Sequence, residues 1–223
     1  MAIPIGFSGV LYQGGTSTTL TNAATTNTAT APAYVYQITA AANRVLDPTV
    51  AIVVKENGVV STHVANVNAM NGSVTFNTSY TPTAPVTISG NYIPTAAVGA
   101  VAEMDFSPKL NTTETTPLNS AGYVQRFPTT FDADGSFKYY GNLTDDSLQT
   151  IITGRTPMLI VQDPAGTGAA VHRIWAVLTA ASLALKPKDV NVADVKFSLY
   201  DQSYGATNLS GFPVNAAFAF YTT

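Results

Sequence analysis

The stretch Val98–Phe106, VGAVAEMDF, decides the class of fold. Its even positions, Val98, Ala100, Ala102, Met104 and Phe106, are apolar, while the odd ones carry Gly99, Val101, Glu103 and Asp105. A period of two marks a half-buried strand, so one face is expected to meet a core and the other to carry two carboxylates. Toward the C-terminus, the polar run KLNTTETTPLNS at 109–120 interrupts the strand, and Gly122–Phe127 resumes extended structure. Asp132–Gly135 (DADG) reads as a turn, because Asp and Gly supply side-chain turn bonds and a free φ; Ser136–Tyr140 then returns as a strand. Thr144 suits the cap of a short α-helix, about 143–153, with Leu148, Ile151 and Ile152 on one face, Asp145 and Asp146 at its positive end and Gly154 at its stop.

On the N-terminal side, Asn57-Gly58 lies between Ile52, Val53, Val54 and Val59, Val60, the strongest short-range hairpin signal in the chain. Tyr34–Thr39, Val74–Phe76 and Val86–Tyr92 also read as strands. Residues 1–33 read as an N-terminal arm, partly flexible: an apolar stretch, Ile3–Tyr12, then a Thr, Asn, Ala and Gly tract, Gly14–Pro32, without periodicity. Such an arm either stays disordered or orders against a neighbouring subunit. Beyond the helix, Met158–Gln162 is a buried-type strand, and Val171–Leu185 is apolar or small on both sides, as in a strand covered on two faces. Val192–Tyr200 sets Val195, Phe197 and Leu199 against Asp194, Lys196 and Ser198, and Ala216–Tyr221 closes the series. The class is mainly β, a sandwich or barrel-like fold with one short helix. Residues 34–223 are read as one β-rich domain, with 34–95 a possible submodule, since Pro94–Ala97 is too short for a flexible linker.

Composition narrows the function. Of 223 residues, 10% are charged and 46% hydrophobic, so much of the surface is uncharged and poorly protected against association. Contacts with copies of itself or with partners follow as an expectation. A net charge of −3 offers no basic footprint for gripping nucleic acid. With no cysteine, disulfides, thiolate metal sites and a Cys nucleophile are excluded. No charged segment followed by an apolar one opens the chain, and no apolar run approaches a membrane span, so synthesis and assembly in a cytoplasm are expected.

Chemistry is sparse. His63 and His172 are the only histidines, and neither has an acidic or Ser partner at useful local spacing. Asp132-Ala-Asp-Gly135 resembles the front of a calcium loop, but the later ligands, including the closing Glu, are missing. Gly166-Thr-Gly168 is too short for a dinucleotide fingerprint. Asn77, Asn111 and Asn142 open glycosylation sequons of the kind that a Thr-rich chain produces by chance. Glu103 and Asp105 could pair as carboxylates, yet no cleft motif surrounds them. The chain is therefore expected not to be an enzyme and to hold no metal or cofactor.

Several sequence words, taken in order, resemble the major tail tube protein of long-tailed bacteriophages. They are Ala102–Phe106 (AEMDF), TETTPL at 113–118, Gln125-Arg126-Phe127, Asp134-Gly-Ser-Phe137 and the helix that follows. A second set, Arg44, Asp47, Pro48, Val53, Gly58, Gly72, Val74, Thr75, Phe76, Val86, Ser89, Gly90 and Tyr92, is similar to the N-terminal part of a group of phage tail proteins. Together they span about residues 43–200. The resemblance implies a structural virion protein that self-assembles into stacked hexameric rings, forming a tail tube through which DNA passes without specific binding. It implies tape-measure, tail-tip and terminator proteins as partners, assembly in the bacterial host cytoplasm, a final place in the virion tail, and no membrane. Glu103 and Asp105, with Asp194, are the candidates for an acidic lumen lining that repels the polyanion. The competing reading is a binding module, a capsid decoration or adhesin-like β-sandwich, which exposed loop aromatics would favour.

Overall fold

The computed structural model describes residues 8–30, 32–115, 125–141, 151–154, 157–163, 170–184, 192–199, 211–215 and 218–222. Along these residues the strands are β1 (Ser8–Gly14), β2 (Thr18–Ala29), β3 (Val35–Ile38), β4 (Val53–Glu56), β5 (Val59–Val60), β6 (Val64–Asn68), β7 (Ser73–Phe76) and β8 (Val86–Tyr92). They continue as β9 (Thr95–Thr115), β10 (Gln125–Gly141), β11 (Pro157–Asp163), β12 (Ala170–Ala184), β13 (Val192–Leu199), β14 (Val214–Asn215) and β15 (Phe218–Thr222). Residues 151–154 are helical, with Ile151 buried and Ile152 packed against the same cluster. The expected cap at Thr144 and the face residue Leu148 lie outside the described residues.

The fold is mainly β, as expected, and consists of two sheets. One runs β11-β1-β9-β10-β13-β12-β15, and an additional β11–β12 pairing returns it on itself, so six antiparallel strands form a barrel-like ring. The other runs β14-β6-β7-β3-β2-β8-β4-β5 and stays open. Closure removes exposed edges from the ring, whereas the open sheet ends in the two-residue strands β14 and β5.

Each sheet buries its own apolar cluster. Within the ring lie Leu11, Val101, Phe137, Ile160, Ile174 and Phe197; the open sheet covers Ile38, Leu46, Ile52, Val54, Phe76 and Ile88. Burying each such side chain contributes roughly 1.5–3 kcal/mol. A third, smaller cluster of Val45, Met70, Leu159 and Trp175 joins residues of both regions. β12 serves two clusters at once: Ile174, Ala176 and Leu178 belong to the ring core, while Trp175, pointing the other way, belongs to the joining cluster. The expectation of a strand buried on both faces holds over Ile174–Leu178 but not beyond, where Thr179, Ala180 and Ser182 are exposed, and the Arg173 guanidinium adds a bond to the Met70 carbonyl at 2.7 Å.

Four readings are corrected. The polar run after Phe106 does not end the strand; β9 continues to Thr115, because Lys109–Thr115 pairs with β10. Asp132–Gly135 is not a turn but the middle of β10, with Asp134 opposite Ser107 on one side and Ser198 on the other. The Ser198 hydroxyl donates to Asp134 Oδ1 at 2.7 Å. Gly135 serves close packing: a Cβ there would overlap the Asp105 carbonyl oxygen and the Phe197 ring.

The alternation in Val98–Phe106 is also less simple than it reads. Val98 is an extra residue between the β1 partners of Ala97 and Gly99, and Glu103-Met104 together oppose Phe137. Each bulge shifts the phase by one, so Val101 is buried and Ala100 exposed, while Val98, Met104 and Phe106 pack on the core. Glu103 takes a φ of +50°, the strained left-handed conformation that a bulge imposes.

Lastly, residues 8–14, read as part of an apolar stretch of the arm, and 18–29, read as its tract without periodicity, are strands. β1 lies between β11 and β9, and β2 between β3 and β8. β2 carries a bulge of its own at Thr21-Asn22, where Asn22 has a φ of +46° and Leu20 faces the core before it, Ala23 and Thr25 after it. That phase change, on short polar side chains, erased the period from the sequence.

Candidate functional site

The three carboxylates singled out by sequence lie on one groove of about 570 Å³ on the wall formed by β9, β10, β13 and β12. The strand register builds it as two rows. In one row Asp105 lies opposite Ser136, Ser136 opposite Lys196, and Lys196 opposite Ala180. In the other, Lys138 lies opposite Asp194, and Asp194 opposite Ser182. Glu103, lifted by its bulge, reaches the Lys138 ammonium and forms an ion pair with it. Ser136, Ala180 and Ser182 are small, which is what makes this part of the wall concave.

Sequence reasoning placed Glu103 and Asp105 on one strand face, and Lys196 beside Asp194 on another, but not Lys138 among them. Glu103, Asp105 and Asp194 alternate with Lys138 and Lys196, so the groove keeps one net negative charge. All but Lys138 are exposed, and Lys138 is half-buried. A pair of this exposure contributes about 0–1 kcal/mol. The groove is a mildly acidic, mixed-charge surface. Among the described residues no group of three or more His, Asp or Glu side chains is placed to hold a metal ion.

A second pocket, of about 410 Å³, was missed by the sequence reading. Glu56 is buried: its Oε2 accepts the Tyr80 hydroxyl at 2.9 Å and the Thr83 amide at 2.8 Å. The hydrogen bond to Glu56 raises the Tyr80 phenol above its ordinary pKa, helped by burial and by the negative charge of the carboxylate. The His63 ring stacks on Tyr80 with centroids 3.8 Å apart. The alternation of Val53–Glu56 held the signal, since Val54 and Glu56 share the inward face. His172 lies in β12, paired with Gln162 and Phe220. Gly166–Gly168 is outside the described residues.

Asp47, part of the second set of family words, is a structural carboxylate. Its Oδ1 accepts the Thr49 amide at 2.9 Å and the Thr49 hydroxyl at 2.6 Å. Burial pushes this carboxyl up, but the hydrogen bonds from Ser17 and Thr49 together outweigh burial and hold it below its ordinary value.

Among the described residues, no helix is long and apolar enough to cross a membrane. No family model matches the chain, and no curated protein matches it. Among solved structures, it is similar to a chain from the tail of an empty GTA particle with C6 symmetry, at 13% identity and a TM-score of 0.32, over 58% of this chain and 87% of that one.

Proposed function

We propose that this chain is a structural subunit of a phage-type tail tube, assembling with copies of itself into hexameric rings that stack into a conduit for DNA. The observation that carries the reading is a two-stranded ribbon extending beyond the ring of strands. β1 pairs with β9 only as far as Val101, and β13 with β10 only from Asp134 onward. Residues 107–115 and 125–133 therefore continue as a pair of their own, and no described strand covers their outer edges. An isolated two-stranded hairpin is marginal in water, so a ribbon of this length is suited to lie on another subunit. The low charge of the chain and the family words in its sequence support the same reading.

In such a tube the groove with Glu103, Asp105 and Asp194 faces the lumen, where its net negative charge disfavours DNA adhesion and its lysines keep the field mild. The role is architectural rather than catalytic. Tape-measure, tip and terminator proteins are the partners, and the virion tail is its place. Negative-stain electron microscopy of the purified chain over a concentration series, with light scattering, tests the proposal. Rings of fixed diameter or hollow rods that lengthen with concentration are expected. A species that stays monomeric at the highest concentration would favour the decoration or binding-module reading, for which the stacked His63 and Tyr80 beside the second pocket are the candidate contact.

A further inference from the structure

We propose that the pocket beside the β4–β5 hairpin binds a primary ammonium group on a short aliphatic stem, with the Glu56 carboxylate as its counter-charge. The pocket belongs to the open sheet, whereas the acidic groove belongs to the ring, and its chemistry does not depend on ring assembly. Its volume, about 410 Å³, is at the small end of ligand pockets and suits a short stem.

The carboxylate comes first. Along β4 the inward positions are Val54 and Glu56, so the alternation that buries a valine also buries an acid, at 7% exposure. A carboxylate withdrawn from water needs partners in place of water. Glu56 has two, the Tyr80 hydroxyl at 2.9 Å and the Thr83 amide at 2.8 Å, and both donate to Oε2. Among the described residues none donates to Oε1. No Lys or Arg is among the residues described around the pocket. One oxygen is satisfied, the other is not, and the charge has no counter-charge in the wall. A cation from outside completes it.

The division of the donors selects the kind of cation. A guanidinium grips a carboxylate as a fork, one N–H to each oxygen, and here Oε2 already holds two donors. An ammonium is a point charge and needs one oxygen. A divalent metal ion takes about six to eight oxygen ligands, and this pocket offers one carboxylate. The remaining walls match an alkylammonium. Tyr80, held by its hydroxyl bond and by the His63 ring stacked on it with centroids 3.8 Å apart, supplies an aromatic surface that favours a cation. Val59 and Val60, the large hydrophobic side chains that the described residues leave exposed, line the same pocket. Methylenes laid along them let the charged head reach Glu56 while the stem covers apolar surface.

The test is ligand-observed saturation-transfer NMR on the full chain, a readout that serves monomers and large assemblies alike. The probes are butylammonium chloride, butanol and propylguanidinium chloride at matched ionic strength. Butylammonium is expected to bind in the millimolar range and about tenfold more tightly than butanol, the worth of one hydrogen bond to a charged group; propylguanidinium falls between them. Glu56→Gln keeps an oxygen for Tyr80 and Thr83, and the preference for amine over alcohol should vanish in it. Val59→Lys leaves Glu56 and its bonds in place and should abolish amine binding by setting an ammonium at the rim. Tyr80→Phe frees Oε2 of one donor and should raise guanidinium binding relative to ammonium. Nα-acetyl-lysine methylamide separates the two sources of such a group: binding like butylammonium assigns a lysine side chain of a partner protein, and exclusion assigns a free amine. No amine signal, butanol bound as well as butylammonium, guanidinium bound more tightly than ammonium in the parent, or an amine preference that survives Glu56→Gln or Val59→Lys overturns the proposal.

Discussion

In the closed ring, Gly99 and Gly135 lie under Tyr139 and Phe197, where a Cβ would collide with the aromatic ring; in the open sheet, Gly58 lies in a turn with φ of +83° and nothing within 4 Å of a Cβ. The first two are there for what approaches them, Gly58 for what the backbone must do. The same division runs through the rest of each region. The ring is held by packing, with Phe197 5.8 Å from Phe137 and 6.4 Å from Phe106, centroid to centroid. The open sheet is pinned by short local bonds: Asp47, Asn68 and Asn71 each accept the amide two residues onward. Where strands close on themselves, complementarity of shape decides stability. Where they end in turns, the turn residues do.

Trp175→Ala is expected to have the largest effect, because it removes the ring that joins the two regions. A loss of about 3–5 kcal/mol is expected from a buried Trp truncation, with unfolding by urea separating into two transitions as the ring and the open sheet lose their common cluster. A single cooperative transition in that variant would show that Leu159, Met70 and the Arg173 bond suffice to couple them. Gly135→Ala comes next: overpacking against Phe197 and the Asp105 carbonyl should cost about 1–3 kcal/mol, read as a lower urea midpoint. Gly58→Ala tests the opposite mechanism. Nothing lies within 4 Å of a Cβ there, so only the positive φ is penalised, at roughly 1–2 kcal/mol. Gly58→Asn should recover most of it, since Asn tolerates that region, whereas Gly135→Asn should be worse than Gly135→Ala.

The smallest expected effect is in pH. Asp47 is held below its ordinary carboxylate value, so its contribution to stability is fully present above the unfolded pKa of about 3.9 and is lost as pH falls through the lower folded value. Asp47→Asn should therefore be less stable than the parent at neutral pH, with the gap closing in acid. Urea midpoints of the two proteins compared between about pH 7 and pH 2.5 check this; a gap that widens in acid would assign the stabilising bonds to another group.

Much of the fold was legible. Asn57-Gly58 turns β4 into β5 with φ of +48° and +83°, as the dipeptide alone requires. The alternation of Val192–Tyr200 gave β13, with Val195 and Phe197 buried and Asp194 and Lys196 exposed. What was hidden was hidden by bulges and by glycine. A bulge at Asn22 and another at Glu103 each reverse the phase of a strand, so β2 lost its period and Val101 exchanged places with Ala100. Asp132–Gly135 carries turn residues in the middle of a strand, because Gly135 answers to Phe197, some sixty residues away in the chain. At the candidate site, the acids were legible as wet strand faces, with Lys196 beside Asp194 on β13, whereas these faces and Lys138 come together only through the pairings of β10 with β9 and β13.

By itself, then, the amino-acid sequence determined the class of the fold, the hairpin at Asn57-Gly58, most strands and the scarcity of charge, since periodicity, turn chemistry and composition are local properties. Only the tertiary structure decided that the ring closes through β11 and β12, that β9 and β10 outrun it as a ribbon, and which charges share the groove. Those depend on register between distant strands, which the hydrogen-bonding backbone sets and no local pattern records.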